Sequence, residues 1–228
     1  MDEIKNINQM PNIRVFYEKV GRAKFISHLD INRCMQRALR RAEIPVWYTE
    51  GFNPHPYTTF ALPLSLGYES LCETMDLRIT RKMSFDEIRY RLNNVLPEGI
   101  VVKKVAMQKN KPDTIETALY KVRIAFDDQE GSAVLEKLQE FDRHQEIIVT
   151  KHSKKGPKEV DIRPNVKILS AAGEGDALLL EMECAAGLTL NINPTLYLDA
   201  FLAAYELKPR ITHVLRTAVL MKNGESFC

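Results

Sequence analysis

The alternation of apolar and polar residues in the first half of the chain predicts the order strand, helix, strand, strand, helix, strand. Strands are indicated at residues 13–17, 74–79 and 100–105, where apolar side chains occupy every second position. Apolar residues three and four apart predict a helix over residues 30–43. A capping-box pattern that starts at Ser84 predicts the beginning of the second helix.

Three short extended segments are expected around this framework, at residues 24–26, 46–48 and 60–62. Asp30 is the expected cap of the first helix, because its carboxylate accepts hydrogen bonds from the free amide groups of the first turn. Pro45 is expected to end the same helix, since the residue before a proline disfavours helical angles.

The second half of the chain repeats this order. Its predicted elements are a strand at residues 120–126, a helix from Ser132, hairpins around the loops 153–157 and 173–176, a helix from Pro194 and a strand at 217–221. Two successive units of this kind predict the α+β class, with two tandem ferredoxin-like (βαββαβ) units and antiparallel sheets.

The boundary between the two units is predicted from composition. Residues 108–117 are mostly polar and contain Pro112, which is typical of a linker. We therefore expect an N-terminal domain over residues 1–109 and a C-terminal domain over residues 118–228. The polar residues 1–10 predict a frayed N-terminal segment.

The first predicted helix has one face of a single charge sign. Four arginines lie opposite its apolar side: Arg33, Arg37, Arg40 and Arg41. Guanidinium groups bind phosphate in a fixed two-pronged geometry, so this face is a candidate nucleic-acid-binding surface. One alternative is a solvated helix face, and another is that the arginines pair with acids of the same chain, such as Glu73 or Asp76.

A turn with two prolines follows the helix, in the sequence GFNPHP. Pro54 and Pro56 restrict the residues before them, Asn53 and His55, to extended angles. The turn therefore presents these two side chains rigidly. His55 is a candidate acid–base catalyst, while the alternative is a structural turn in which the histidine has no chemical role.

Two further groups of residues complete the candidate site. His28 lies just before the helix, and we expect it to converge with His55 if the helix packs across a sheet. Asn53 is expected to contact nucleic acid, and aromatic rings are candidates for stacking on bases: Tyr17, Tyr57 and Phe60. For Phe60, a place in the core is the favoured alternative.

The motifs FISHLD, RALRRAEIP and GFNPHPYTTFALPLSLG, in this order and at close spacing, resemble a bacterial family of unknown function. Members of that family are fused to radical SAM proteins or encoded beside them. The similarity continues through CETMDLRI, VDIRPNVK and ITHVLRTAVLM, and so extends over residues 13–221. The resemblance implies a radical SAM enzyme as a partner, and it implies no reaction for this chain.

Composition and motifs narrow the function classes. The net charge is only +2, so the basic character is local to the helix and to two lysine runs. The four cysteines lie far apart, without the spacing of a zinc or iron–sulfur site, so we expect no metal, no cofactor and a reducing, cytoplasmic location. No apolar run is long enough to cross a membrane. Dinucleotide-binding, P-loop and nucleophile-elbow motifs are absent.

Three functions stay open from the sequence. The favoured one is an RNA-binding adaptor that presents RNA, either tRNA or rRNA, to a modifying enzyme. The second is a metal-independent RNA-processing enzyme that uses His55 and His28. The third is a protein-interaction module that uses the same basic helix against an acidic partner. Whether the chain is an enzyme is left undecided, because no complete set of nucleophile, base and orienting group is visible.

Overall fold

The structure is a computed structural model that describes residues 10–153, 156–188 and 190–228, without the side chains of residues 151–153. The predicted fraying of the N-terminal segment and the centre of the predicted loop at 153–157 fall outside these residues. The chain forms two compact units. The N-terminal unit runs to Pro112 and includes Cys228, and the C-terminal unit is Asp113–Phe227.

The N-terminal unit confirms the predicted order of strands and helices. Its elements are β1 (Asn12–Lys19), α1 (His28–Arg41), β2 (Thr58–Phe60), β3 (Glu69–Arg78), α2 (Phe85–Asn93) and β4 (Ile100–Met107). The strands pair antiparallel in the order β4-β1-β3-β2. A first strand placed in the centre of a sheet requires a crossing connection after it, and α1 provides that connection.

The core of this unit lies between the two helices and one face of the sheet. Met35, Ala38 and Leu39 of α1 have no exposed surface, and neither do Ile13 and Val15 of β1. The apolar positions of α1 recur three and four residues apart, which brings them onto one side of the helix. The four arginines fall on the other side, where all of them are exposed.

Two local predictions for this unit are wrong. Residues 24–26 do not begin a strand; Gly21–Phe25 forms a short 3₁₀ helix, with Gly21 at a φ of +61°. The N-cap of α1 is Ser27 and not Asp30. The Ser27 hydroxyl oxygen accepts from the amide of Asp30 at 3.2 Å and donates to its carboxylate at 2.7 Å. This exchange starts the helix two residues earlier than the sequence indicated.

The C-terminal unit has the same order with one addition. Its elements are β5 (Ile115–Phe126), α3 (Gly131–Phe141), β6 (Ile148–Ser153), β7 (Gly156–Asp161), β8 (Val166–Glu174), β9 (Ala177–Ala185), α4 (Pro194–Ala204) and β10 (Pro209–Met221). The main strands pair antiparallel in the order β10-β5-β9-β8, while β6 and β7 form a separate hairpin.

The last strand is longer than predicted. It begins at Pro209, not at residue 217, and its register shifts three times along its pairing with β5. Each bulge interrupts the strict alternation on which the prediction depended. β5 likewise begins inside the predicted linker, directly after a short 3₁₀ helix at Pro112–Thr114.

The protein is therefore a mixed α/β structure with mostly antiparallel sheet and, within the described residues, four α-helices. No helix in the described part of the chain combines the length and the apolar character needed to cross a membrane.

Candidate functional site

The two-proline turn is the closed end of a hairpin formed by residues 47–57, called the proline hairpin below. The amide of Thr49 donates to the carbonyl of His55 at 2.9 Å, and the amide of Tyr57 donates to the carbonyl of Trp47 at 3.0 Å. Gly51 turns the chain with a φ of +120°, a value that favours glycine. The tip of the hairpin, from residue 50 to residue 55, is exposed.

The chain that leaves this hairpin lies along one side of α1. The ring of Phe60 packs edge-on against His28, with 5.2 Å between the ring centres. The hydroxyl of Thr58 donates to the side-chain oxygen of Asn32 at 2.9 Å. The side-chain amide of Gln36 donates to the carbonyl of Pro56 at 3.3 Å. The three contacts follow the helix in steps of four residues, so strand and helix run antiparallel.

This arrangement separates the two candidate catalytic histidines. His28 lies opposite Phe60, whereas Pro56, next to His55, lies opposite Gln36. His28 and Gln36 are eight residues apart on the helix, about 12 Å along its axis. Nδ1 of His55 lies instead 3.2 Å from the hydroxyl of Thr49 and 3.0 Å from the carbonyl of Asn53. The structure therefore keeps His55 and Asn53 away from His28, whereas the sequence predicted that the two histidines converge.

Buried charges lie close to His28 on the sheet. Lys19 is 2% exposed and Glu73 is 5% exposed. The ammonium of Lys19 donates to the carbonyl of Lys24 at 3.3 Å. The pKa of His28 is lowered, mainly by partial burial of its ring and further by the charge of Lys19, while the charge of Glu73 opposes the shift. His28 is thus held in its neutral form more readily than a histidine in water.

The sequence pattern did not predict that Lys19 and Glu73 lie close to His28. Glu73 was noted only within a motif and as a possible arginine partner, and Lys19 was not noted at all. The one available signal was position: both residues interrupt strands whose neighbours on the same face are apolar. A lysine and a glutamate at such positions are unusual, because burying a charge is costly unless it is compensated.

The arginines of α1 differ in their contacts. Arg33 pairs with Asp30 of the same helix at 3.2 Å. Arg41 donates to the carbonyl of Val95, after α2, at 2.7 Å. Arg37 and Arg40 form no ion pair within the described residues. Both side chains are exposed, although the charge of Arg37 helps to lower the pKa of Asp30.

The alternative explanation for the arginines, pairing with acids of the sheet, does not fit these contacts. Asp76 is held by Arg14, whose guanidinium donates to both carboxylate oxygens at 2.6 and 2.8 Å. Among the described residues, the acid that pairs with the arginine face is Asp30. The face is consequently a positive surface and not one half of a surface ion-pair network.

Of the three aromatic residues proposed for base stacking, Tyr17 is placed differently from the expectation, while Phe60 has the packed position that was its favoured alternative. Tyr17 is buried in the core, and Phe60 is half-buried against His28. Tyr57 is partly exposed and packs against Trp47, with 5.3 Å between ring centres, and beneath the guanidinium of Arg78 at 5.7 Å. Exposed rings occur elsewhere, at residues that the sequence analysis did not single out: Phe25 and Phe52.

A metal-based site receives no support from the arrangement of side chains. In the described ranges, no three His, Cys, Asp or Glu side chains lie close enough together to hold a metal ion.

Burial raises the pKa of the Cys184 thiol to about 12, and partial burial raises the pKa of the Cys34 thiol. Both thiols are therefore poor nucleophiles at neutral pH.

Comparison with protein families gives a match over residues 12–194 to the family described as "Uncharacterized protein conserved in bacteria (DUF2344)". The chain belongs to this family. No curated protein matches the chain in sequence.

A solved structure resembles the fold. The chain is similar to one chain of the structure titled "Crystal Structure of a Cbf5-Nop10-Gar1 Complex", with a TM-score of 0.50 and 10% sequence identity. The similar region covers 91% of this chain and 48% of that one, so this family member spans about half the length of its structural neighbour. At this identity the likeness is one of fold alone, and function must be argued from the site.

Proposed function

We propose that this protein binds RNA through the arginine face of α1 and acts as an adaptor that presents the RNA to a modifying enzyme. The observation that carries the proposal is the exposure of four arginines on one helix, two of which, Arg37 and Arg40, form no ion pair among the described residues. Exposed guanidinium groups that form no ion pair are a surface that phosphate oxygens satisfy.

The spacing of the arginines supports a nucleic-acid strand over a single small anion. Arg33 and Arg37 are four residues apart, so they lie about 6 Å from each other along the helix axis. Arg40 lies near both on the same face, which makes a row and not a pocket. A chain of phosphates fits a row of this kind, and each phosphate contact releases counterions from the nucleic acid.

A partner and a fold complete the proposed function. The resemblance to proteins fused to or encoded beside radical SAM proteins supports a radical SAM enzyme as the modifying partner. The proposed ligand is a cytoplasmic tRNA or rRNA, and the arginine face of α1 supports an RNA ligand. We further infer that each unit is a ferredoxin-like βαββαβ fold, supported by the sheet orders β4-β1-β3-β2 and β10-β5-β9-β8.

The test is a binding measurement with Arg37→Glu. The variant is expected to weaken binding to every RNA sequence and to reduce the slope of log affinity against log salt by about 0.7 or more, the contribution of one phosphate contact. Because Arg37 makes no ion pair among the described residues, the melting temperature is expected to stay unchanged.

Arg89→Glu is the matched control for this experiment. Arg89 is an exposed arginine of α2 in the same unit, paired with Asp86 at 3.2 Å. Its replacement makes the same change in net charge at another helix and is expected to leave RNA affinity nearly unchanged. Equal losses in the two variants, or none in either, would contradict a site on α1.

A second candidate function rests on the buried charges beside His28. A histidine that is held neutral next to Glu73 and Lys19 has the features of a general base, and the proposed RNA ligand carries the 2′-hydroxyl on which such a base acts. This candidate predicts cleavage of bound RNA that is lost in His28→Gln and kept in His55→Ala. Binding without any cleavage would leave the adaptor as the function.

A further inference from the structure

The exposed phenylalanines are the feature of the N-terminal unit that neither stability nor the arginine face explains. Phe52 is fully exposed at the tip of the proline hairpin, and Phe25 is 69% exposed just before α1. Burial of a phenylalanine side chain ordinarily stabilises a fold, so a ring left in water contributes nothing to it. Phe25 has a charged neighbour, because the ammonium of Lys24 lies 5.3 Å from the centre of its ring.

The two rings lie toward opposite ends of the arginine face. The contacts of the chain from Phe60 to Pro56 progress along α1 from His28 to Gln36, so the hairpin tip extends toward the C-terminal half of the helix. Phe25 precedes the N-cap of the same helix. A ligand that follows the arginines therefore has a ring near each end of its path.

The hairpin tip is also suited to hold its ring in place. Pro54 and Pro56 restrict the backbone on either side of His55, and two backbone hydrogen bonds close the hairpin. Restricting a binding group before the ligand arrives reduces the entropy lost on association. Phe52 is thus a presented side chain on a stiff support.

We propose that the RNA bound at this surface is single-stranded and that Phe25 and Phe52 stack on its unpaired bases; the inference rests on the proposed RNA-binding function. Base faces are hidden inside a duplex but are open in single strands, loops and ends, where aromatic side chains stack on them. Rings beside a positively charged groove are the combination that single-strand binders use. The positive charge of Lys24 and the arginines is complementary to the row of phosphates that such a strand carries.

The experiment uses the full chain and two fluorescently labelled probes, a short single-stranded RNA without self-complementarity and a blunt RNA duplex with a similar number of phosphates. Phe52→Leu and Phe25→Leu keep an apolar side chain and remove the ring. Each variant is expected to weaken single-strand binding about fivefold or more, with the salt slope and duplex binding unchanged. Leu29→Ala is the control, because it shortens an exposed apolar side chain of α1 that has no aromatic ring.

A second readout follows stacking directly. A single-stranded RNA that contains 2-aminopurine is expected to change its fluorescence on binding the protein, and this change should shrink in Phe52→Leu or Phe25→Leu. Because the assay reports the base and not the phosphate, it separates stacking from a general loss of affinity.

Several outcomes overturn the inference. Equal losses for both probes would show that the rings do not read unpaired bases. Unchanged RNA binding in both phenylalanine variants, with binding lost in Arg37→Glu, would overturn the stacking role and leave the proposed function intact. Unchanged binding in all three variants would reject the proposed function itself. Unchanged RNA binding together with loss of a co-purifying protein would assign the rings to a protein interface instead.

Discussion

The N-terminal and C-terminal units insert a hairpin at the same point of their chain order, between the first helix and the second strand. In the N-terminal unit the insertion is the proline hairpin, and the chain leaving it packs along α1 through Gln36 and Asn32. In the C-terminal unit it is β6–β7, whose base is fixed by Arg163, which donates to the carbonyl of Asp142 at 2.8 Å. At this point of the chain, the N-terminal unit has a hairpin whose exit packs along the basic helix α1. The C-terminal unit has a hairpin that is held at its base by Arg163.

The first helices of the two units, α1 and α3, also differ in their exposed residues and in how their N-terminal ends are packed. The exposed side of α1 carries four arginines, whereas the exposed residues of α3 include Glu136, Gln139 and Glu140. The start of α1 is capped by a side chain, Ser27, and is open to solvent. The start of α3 has no side-chain cap and is packed against backbone at Gly131. Equal topology therefore does not give equal exposed surfaces.

The largest effect on this comparison is expected from Asp76→Ala in the N-terminal unit. The variant leaves the Arg14 guanidinium buried without its carboxylate, which costs about 3–5 kcal/mol of unfolding free energy. Trp47, the single tryptophan, reports on this unit, so denaturant unfolding followed by its fluorescence measures the loss. Arg89→Ala, at an exposed pair, is the control, and a loss as small as in the control would show that the buried pair is unimportant.

Gly131→Ala tests the corresponding support in the C-terminal unit. A Cβ at residue 131 would overlap the backbone carbonyl oxygen of Ala177, so α3 must move from the β8–β9 hairpin at a cost of about 1–3 kcal/mol. Calorimetric unfolding is expected to show a lower melting temperature. Gly187→Ala is the control, because the nearest atom to its added Cβ is the Ile115 carbonyl oxygen at 3.4 Å. Equal stability of the two variants would contradict the close approach.

Tyr197→Phe tests the link between the helices of the C-terminal unit. The phenol of Tyr197 in α4 donates to the carboxylate of Asp142 at the end of α3 at 2.8 Å. Burial and this hydrogen bond raise the pKa of Tyr197, so the donor stays protonated. Loss of the bond is expected to cost about 1 kcal/mol in denaturant unfolding. Tyr90→Phe, at an exposed tyrosine of α2, should change nothing; equal effects would argue against the link.

The smallest expected effect is the pH dependence contributed by His28. Its pKa is lowered in the folded state, so below the ordinary value of 6.5 the unfolded chain binds more protons. This contribution to stability is therefore fully present well above pH 6.5 and is lost as the pH falls below 6.5 and through the lower pKa of the folded state, and His28→Gln should remove this pH dependence.

NMR titration of the His28 ring gives the direct measurement. The midpoint is expected below 6.5, and further below in Glu73→Gln, because the Glu73 charge raises the pKa of His28. A midpoint at or above 6.5 in the unchanged protein would show that burial does not control this histidine.

Local patterns in the sequence determined the elements of this protein. The apolar spacing of α1 predicted its buried face, Ser84 was correctly predicted as the cap of α2, and Pro194 lies in the first turn of α4 as expected. These features depend on residues within one or two helical turns, where sequence distance and spatial distance are nearly the same. The sequence did not predict the bulges of β10 or the Ser27 cap of α1. In both places several neighbouring residues suit the same position, and local pattern does not choose between them.

The tertiary structure alone decided which chemistry comes together. It joined Arg14 to Asp76 across 62 residues and placed Lys19 and Glu73 close enough to His28 to affect its pKa. It also separated His28 from His55, which the sequence had allowed to meet. Such contacts depend on strand register and helix docking, which the whole core sets and which no local pattern encodes. The arginines of α1 were visible in the sequence, but only the fold shows that Arg37 and Arg40 form no ion pair among the described residues.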